Sequence, residues 1–286
     1  MPNPPFATRF APSPTGYLHR GHAFSALSGF EAARAVQGRF LLRIEDLDET
    51  RVRPEFEAAI LDDLAWLGLN WETPVRRQSE HRDDYLAALS KLRARGLLYR
   101  CFKTRRELIE ASASAPHGPD PSPYCGETLP EAEEAARLAQ GEPFAWRLSL
   151  DRARAALGPG WTDLAFHEEG AGPAGETGRI AAEPERLGDV ILARKDIGAA
   201  YHLAVVVDDA LQGITHVVRG ADLFEAAHIQ RLLQALLGVP TPIYRHHRLL
   251  ADETGQRLAK RRGGESLRDL RASGARPEDV RRDLGF

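Results

Sequence analysis

Arg9-Phe10-Ala11-Pro12-Ser13-Pro14-Thr15-Gly16-Tyr17-Leu18-His19-Arg20-Gly21-His22 reads as a buried strand that breaks into a Pro/Gly loop and then into the start of a helix. Phe6 to Ala11 supplies the apolar run, and Pro12 to Gly16 punctuates it. The helix begins at about Gly21, places Phe24, Leu27 and Phe30 on one side, and stops at Gly38. A helix start exposes unpaired N–H groups and the positive end of the dipole, both suited to a phosphate. Gly21 lets a ligand come close to the backbone. His19 and His22 carry N–H donors that can meet phosphoryl oxygens as charge develops in a displacement. Two histidines at this spacing carry little weight alone; after a strand and a Pro/Gly loop they point to a nucleotide site.

Working outward, Phe40, Leu42 and Ile44 alternate with Arg39, Leu41 and Arg43, a strand that delivers Glu45 at its C-terminal end. Pro54 opens a helix that closes at Gly68, and another runs from about Ser79 to Gly96 into the strand Leu97 to Cys101. This alternation predicts a parallel sheet covered by helices. Proline and glycine then crowd residues 112–128 and 158–178, which places an inserted, loop-rich subdomain at about 101–190. Regular structure resumes with predicted strands at Tyr201 to Val207 and Ile214 to Arg219, a helix from Phe224 to Leu237, and a strand from Tyr244 to Leu250. A basic loop at 256–264 and helical patterns near 265–272 and 277–284 complete the chain.

Composition narrows the classes. At 286 residues and roughly 150 residues per domain, about two domains are expected. No apolar run approaches the roughly 18 residues of a membrane span, and the N-terminus lacks a secretory pattern. Two cysteines, Cys101 and Cys125, are too few for a disulfide framework, so a reducing cytoplasm is expected. Net charge is −3, which excludes a polycation; a nucleic acid would have to meet a local basic face. Residues 76–106 hold ten Arg/Lys against three Asp/Glu, and such a stretch is either a solvated helix face or a phosphate-contacting surface.

The stretch Arg9 to His22 resembles the signature of class I glutamyl-tRNA synthetases, with His19-Arg20-Gly21-His22 in the place of the HIGH motif. The resemblance continues through Leu42-Arg43-Ile44-Glu45-Asp46-Leu47-Asp48-Glu49-Thr50-Arg51, Tyr201-His202-Leu203-Ala204-Val205-Val206-Val207-Asp208-Asp209 and Gly213-Ile214-Thr215-His216-Val217-Val218-Arg219-Gly220. It covers most of residues 5–262. It implies an α/β fold: a Rossmann-type parallel-sheet catalytic domain with an inserted α+β subdomain and a short helical tail. The divisions expected are 1–100 and 191–245 for the two halves of the catalytic domain, 101–190 for the insert, and 246–286 for the KMSKS-like loop and tail. The likeness is greatest to the short branch of the family, which lacks helical anticodon-binding domains and carries glutamate to the queuosine of tRNA(Asp). Only 24 residues follow Arg262, too few for such a domain.

The chemistry of the residues agrees. Glutamate presents two carboxylates and one ammonium, so its site needs guanidinium forks and a compensating acid. Arg9 and Arg219 supply the forks, and Glu45, at a strand's C-terminal end, supplies the acid. The resemblance implies glutamate contacts at Arg9, Ala11, Ser13, Glu45, Tyr201 and Arg219, and ATP contacts at His19, Gly21, His22 and Lys260. Lys260 lies in Arg257-Leu258-Ala259-Lys260-Arg261, where Ala259 and Arg261 replace the two serines of the KMSKS pattern. His19, His22 and Lys260 are thus the expected catalytic residues, with ATP and Mg²⁺ as the nucleotide substrate. Asp208-Asp209, read as the end of a strand, serves either Mg²⁺ or a solvated turn.

The short branch often carries a Cys-x-Cys and Tyr-x-x-x-Cys zinc site in its insert. Here Cys101 and Tyr124 match, but Lys103 and Thr128 stand at the other two positions, Cys125 is off register, and only His117 offers a replacement. Zinc is therefore not expected. The resemblance implies glutamate, ATP and the anticodon arm of tRNA(Asp) as partners of a cytoplasmic monomer, with no membrane. Charging of tRNA(Glu) by a truncated synthetase, and a catalytically silent RNA- or glutamate-binding paralogue, remain the alternatives.

Overall fold

The structure, a computed structural model, describes residues 5–104, 107, 124–126, 128–194, 198–250 and 265–286. The apolar run at the start forms β1 (Ala7–Phe10), the histidine turn opens α1 (Arg20–Ala35), and the alternating stretch is β2 (Arg39–Ile44). Next come α2 (Pro54–Trp66), β3 (Glu72–Arg77), α3 (Arg82–Ala94) and β4 (Leu98–Cys101). Then follow α4 (Glu131–Ala139), β5 (Ala145–Leu148), α5 (Leu150–Leu157), β6 (Ala165–Glu168), β7 (Gly178–Ala181) and β8 (Ile191–Arg194). The chain continues through β9 (Gly198–Ala199), α6 (Tyr201–Leu211), β10 (His216–Gly220), α7 (Phe224–Leu237), β11 (Ile243–His247), α8 (Leu267–Ala272) and α9 (Pro277–Leu284).

Strands β1, β2 and β3 are parallel in that spatial order, and β10 pairs in parallel with β11. The two sets meet where Thr215 N donates to Ala7 O at 2.9 Å and Ala7 N donates to Thr215 Oγ1 at 2.8 Å. The order across both is therefore β3-β2-β1-β10-β11, the doubly wound arrangement, with its switch point between β1 and β10. Strand β6 adds to the outer side of β11 and carries β7 antiparallel beside it.

Two sequence expectations need correction, and one strand was not anticipated. Tyr201 to Val207 is a helix, not a strand; every residue from Leu203 to Asp209 is buried in α6. A short apolar run with both faces covered has no periodicity by which to tell helix from strand. Leu98–Cys101 is a strand, but it pairs antiparallel with β5 in a separate sheet, β4-β5-β8-β9, outside the parallel one. Strand β3 was hidden by its charges and by Pro74, which an edge strand tolerates because one row of its N–H groups faces away from the ladder.

The tail packs back on the first half of the sheet. Leu267, Leu270, Val280 and Leu284 join Leu27, Ile60 and Leu64 in one core. Within it Asp63 of α2 is fully buried, and among the described residues neither carboxylate oxygen has a hydrogen bond; Arg271 Nη2 lies 3.7 Å away. No helix among the described residues is long and apolar enough to cross a membrane.

Burial pushes the Asp63 carboxyl up to about 6, with Arg271 pulling against it. Between about pH 4 and 6 the native state then holds the proton that the unfolded chain has released, so stability falls as pH rises through that window. Asp63→Asn is expected to be more stable at pH 7 by up to about 3 kcal/mol. In urea titrations across pH the gain should disappear below about pH 4; a gain that persists there would assign it to another cause.

Candidate active site

A cavity of about 490 Å³ opens at the switch point, between the C-terminal ends of β1 and β10 and the first turn of α1. Arg9, Ala11, His19, Gly21, His22, Glu45, Tyr201 and Arg219 all line it. Ser13 does not; it is exposed on the Pro/Gly loop. Lys260, with Ala259 and Arg261, lies outside the described residues. Of the described residues nearby, Leu250 is in the cavity wall, and Ser266 forms a β-bridge with His19.

His19 caps α1 through its side chain. Its Nδ1 accepts from Gly21 N at 3.0 Å, while His22 Nδ1 accepts from His19 N at 3.2 Å, a reciprocal capping box made of imidazoles. With both Nδ1 atoms accepting, each neutral ring carries its hydrogen on Nε2. The rings lie 3.9 Å apart between centroids. Gly21 has a second reason to be glycine. A Cβ there would meet His19 Cε1 at 2.9 Å, so the space beside the backbone belongs to the imidazole.

The charged set rests on a buried network that sequence reading missed. Arg9 donates through Nε and Nη2 to Asp209 at 2.9 and 3.2 Å, leaving Nη1 and one Nη2 hydrogen for the cavity. Arg43, wholly buried, donates to Asp209 at 2.7 Å, to Gln212 at 3.0 Å and to Glu45 at 3.3 Å. Asp208 accepts from Arg76, Gln78 and Tyr85 at 2.7, 2.8 and 2.9 Å. Asp208 and Asp209 are thus structural counter-ions on a buried helix, neither a solvated turn nor a Mg²⁺ site. Burial opposes charge on Arg43, but Asp209, Glu45 and Asp208 outweigh it and hold the group above the ordinary arginine range. Burial also lifts Glu45 above the usual carboxylate range, with Arg43 and Arg9 pulling it back.

Arg219 is 4% exposed, lines the cavity and is held by three hydrogen bonds. It donates to His246 Nε2 at 3.0 Å, to Gln230 Oε1 at 2.9 Å and to Leu223 O at 2.9 Å, and its guanidinium lies 5.1 Å from the Tyr244 ring centroid. Tyr201 stands at the start of α6 on the cavity rim, partly exposed. Behind it burial and then Arg219 push His202 down to about 4, so that ring is neutral.

Among the described residues of the basic stretch 76–106, which leave out Arg105 and Arg106, the cations are engaged. Arg76, Arg77, Arg82 and Arg100 pair with Asp208, Glu57, Glu49 and Glu134. Lys91 and Arg95 donate to the carbonyls of Leu237 and Leu236, at the negative end of α7. Arg93 lies over Trp146, and Lys103 over Tyr124.

The described donors of the insert do not fit a zinc ion. Cys101 Sγ lies 3.8 Å from Tyr124 OH, but Lys103 and Arg147 bring two cations over that ring, and burial beside Cys101 pushes the phenol up to about 12. Thr128 accepts from Arg152, Cys125 is exposed, and His117 lies outside the described residues. Among the described residues no group of three or more His, Cys, Asp or Glu is placed to hold a metal ion.

A doubly wound sheet with a phosphate-ready helix start and an amino-acid-sized charge set at its switch point has the anatomy of an amino-acid-activating ligase. The chain matches the family "tRNA synthetases class I (E and Q), catalytic domain" over residues 5–284 and belongs to it. It is a ligase of the class I aminoacyl-tRNA synthetase type, a family that uses ATP, typically with Mg²⁺. It is 48% identical to the Glutamyl-Q tRNA(Asp) synthetase of Rhodobacter capsulatus, over 98% of this chain and 99% of that one. Identity to the protein of the same name from Nocardia farcinica is 44%, over 96% of this chain and 82% of that one. The crystal structure of a glutamate-tRNA synthetase from Elizabethkingia anophelis superposes with a TM-score of 0.75 at 28% identity, covering 95% of this chain and 54% of that one.

Two expectations follow from the geometry. Arg43→Met leaves three carboxylates with one cation fewer in a buried site, and should cost about 3–5 kcal/mol in urea unfolding; a loss under 1 kcal/mol would show that the network does not hold the sheet to α6. Gly21→Ala should leave stability within about 0.5 kcal/mol, since Ala favours the helix and only a side chain must move. Its adenylation rate should nonetheless fall about tenfold or more as the His19 ring is displaced; an unchanged rate would remove His19 from the chemistry.

Proposed function

We propose that this chain activates glutamate with ATP in the absence of tRNA and transfers it to the queuosine at the wobble position of tRNA(Asp), acting as a cytoplasmic monomer on the anticodon arm. The observation that carries the activation half is the convergence of Arg9, Glu45 and Arg219 on the same cavity as the His19/His22 turn. In this reading the two guanidiniums take the carboxylates of glutamate, Glu45 takes the ammonium, and Ala11, Ser13 and Tyr201 shape the rest of the pocket. One oxygen of the substrate α-carboxylate attacks the α-phosphorus of ATP in line, the bond to the bridging oxygen breaks, and pyrophosphate leaves with Mg²⁺. His19 and His22 offer Nε2–H donors, Gly21 the helix start, and Lys260 an ammonium to the charge that builds on the phosphoryl oxygens. They act by position, with no covalent intermediate on the enzyme. The acceptor half is supported by the names of relatives that the chain matches over 99% and 82% of their length.

Glutamate-dependent ATP–pyrophosphate exchange without tRNA tests the first half. Arg219→Leu should lower kcat/KM for glutamate by about a hundredfold through loss of charge-assisted hydrogen bonds, with the KM for ATP within threefold or so of the parent. Radiolabelled glutamate should then appear only on queuosine-containing tRNA(Asp). Label on tRNA(Glu) would move the acceptor to the usual terminal ribose, and the absence of exchange at saturating substrates would end the enzymatic reading.

A further inference from the structure

Behind Arg219 lies a second buried set that the reaction outlined above does not use. Glu168, at the end of β6, is 1% exposed, and His246 of β11 is 2% exposed. Glu168 Oε1 accepts from the backbone N of His246 and of Gly170, both at 2.8 Å, and Oε2 lies 2.5 Å from His246 Nδ1. A Cβ on Gly170 would collide with the His246 backbone, so the carboxylate is closed in on that side as well. The His246 ring lies between Tyr244, parallel at 5.8 Å, and Phe224, edge-on at 5.2 Å.

The protons of this set follow from its donors. Arg219 Nε can only donate, so His246 Nε2 must accept, and the ring hydrogen sits on Nδ1, facing an ionised Glu168. The groups that face the ring agree. Burial and Arg219 act against a second proton on His246, outweighing Glu168, and the bonds from His246 hold the buried Glu168 below the usual carboxylate range. The Tyr244 ring is stacked parallel to that of His246, and His247 adds a minor repulsion. Three neutral groups thus accept from Arg219, one at each of its nitrogens, which leaves one hydrogen on Nη1 and one on Nη2 of a residue that lines the cavity.

We propose that Glu168 and His246 are positioning residues for substrate selection: the carboxylate fixes the tautomer of His246, and His246 fixes the rotation of Arg219, so that the fork meets a side-chain carboxylate of the amino acid. A neutral acceptor leaves the full charge of Arg219 to the substrate, where a carboxylate behind it would have neutralised it. The inference rests on the reading of Arg219 as a glutamate ligand, and its test separates the two.

Nitrogen-15 NMR of the histidines in the wild-type protein should show His246 as the Nδ1–H tautomer, staying neutral at pH values where an ordinary histidine is protonated. An Nε2–H tautomer or an ordinary titration would overturn the proposal without any variant. In pyrophosphate exchange, His246→Phe should raise KM for glutamate about thirtyfold, with kcat and the KM for ATP within about threefold. His246→Asn, which keeps an acceptor oxygen and an N–H donor, should recover most of that loss, and Glu168→Gln should resemble the Phe variant in weaker form. Equal losses in kcat and in both KM values, with no rescue by Asn, would mark a merely structural role and overturn the proposal. If Arg219→Leu leaves KM for glutamate unchanged while the NMR result stands, the reading of Arg219 fails and the substrate-selecting role falls with it. If Arg219→Leu raises KM and His246→Phe does not, only the present inference fails.

Discussion

The guanidinium of Arg43 sits at full burial among three carboxylates, and most of the architecture around the cavity is arranged to make that tolerable. Taking a charge of this size out of water costs several kcal/mol even after relaxation, and only close, well-directed partners offset it. Those partners come from elements far apart in sequence: Glu45 follows β2, and Asp208 and Asp209 come from α6. Two of the acids are in turn shared, Asp209 with Arg9 on β1 and Asp208 with Arg76 on β3. Three arginines and three acids balance in the interior, and the balance ties three parallel strands to a helix from the other half of the fold. Such a network adds little net stability compared with an apolar core of equal volume. What it supplies is a single geometry for the two groups, Arg9 and Glu45, that reach the cavity.

That dependence explains why α6 is a helix. As a strand, Tyr201 to Val207 would send Asp208 and Asp209 to opposite faces of a sheet. In the helix all seven residues from Leu203 to Asp209 are buried, yet the two acids diverge enough to meet different arginines, Asp209 near β1 and Asp208 near β3 and α3. Two adjacent carboxylates look like a solvated turn or a metal site only while their partners are out of sight.

Much of the fold was legible because its signals were local. The strand–loop–helix around His19, the helix from Phe224 to Leu237 and the two short tail helices stand where apolar spacing, Pro at helix starts and Gly at helix ends put them. The charged part of the cavity lining was legible for another reason: Arg9, Glu45 and Arg219 are uncommon residue types to find at strand ends, and motif context gave them a shared purpose. What escaped was what only tertiary structure reveals. Arg43 alternates with Phe40, Leu42 and Ile44 as though on an outer face, but β2 is a central strand with both faces covered, so its polar face is interior too. Nothing local marks Glu168 as the partner of His246, 78 positions away. The charge of residues 76–106 misled for the complementary reason: a count of arginines says nothing of the carboxylates and carbonyls that await them.

The two guanidiniums at the cavity are held in opposite electrostatic styles. Arg9 is clamped along one edge by Asp209, an acid it shares with Arg43, so it presents direction more than net charge. Arg219 is held by an imidazole, an amide and a carbonyl, all neutral, so its charge is uncompensated by the groups that orient it. A site of this form distinguishes a carboxylate from the isosteric amide at the Arg219 end, because an amide would turn an N–H donor toward a buried cation or leave it unpaired. At the Arg9 end the same substitution would matter less, since Asp209 already satisfies part of the fork. In the function proposed above, that difference orients the acidic amino acid, with the carboxylate that defines the side chain at Arg219 and the α-carboxylate toward the His19 turn, where the phosphate must arrive.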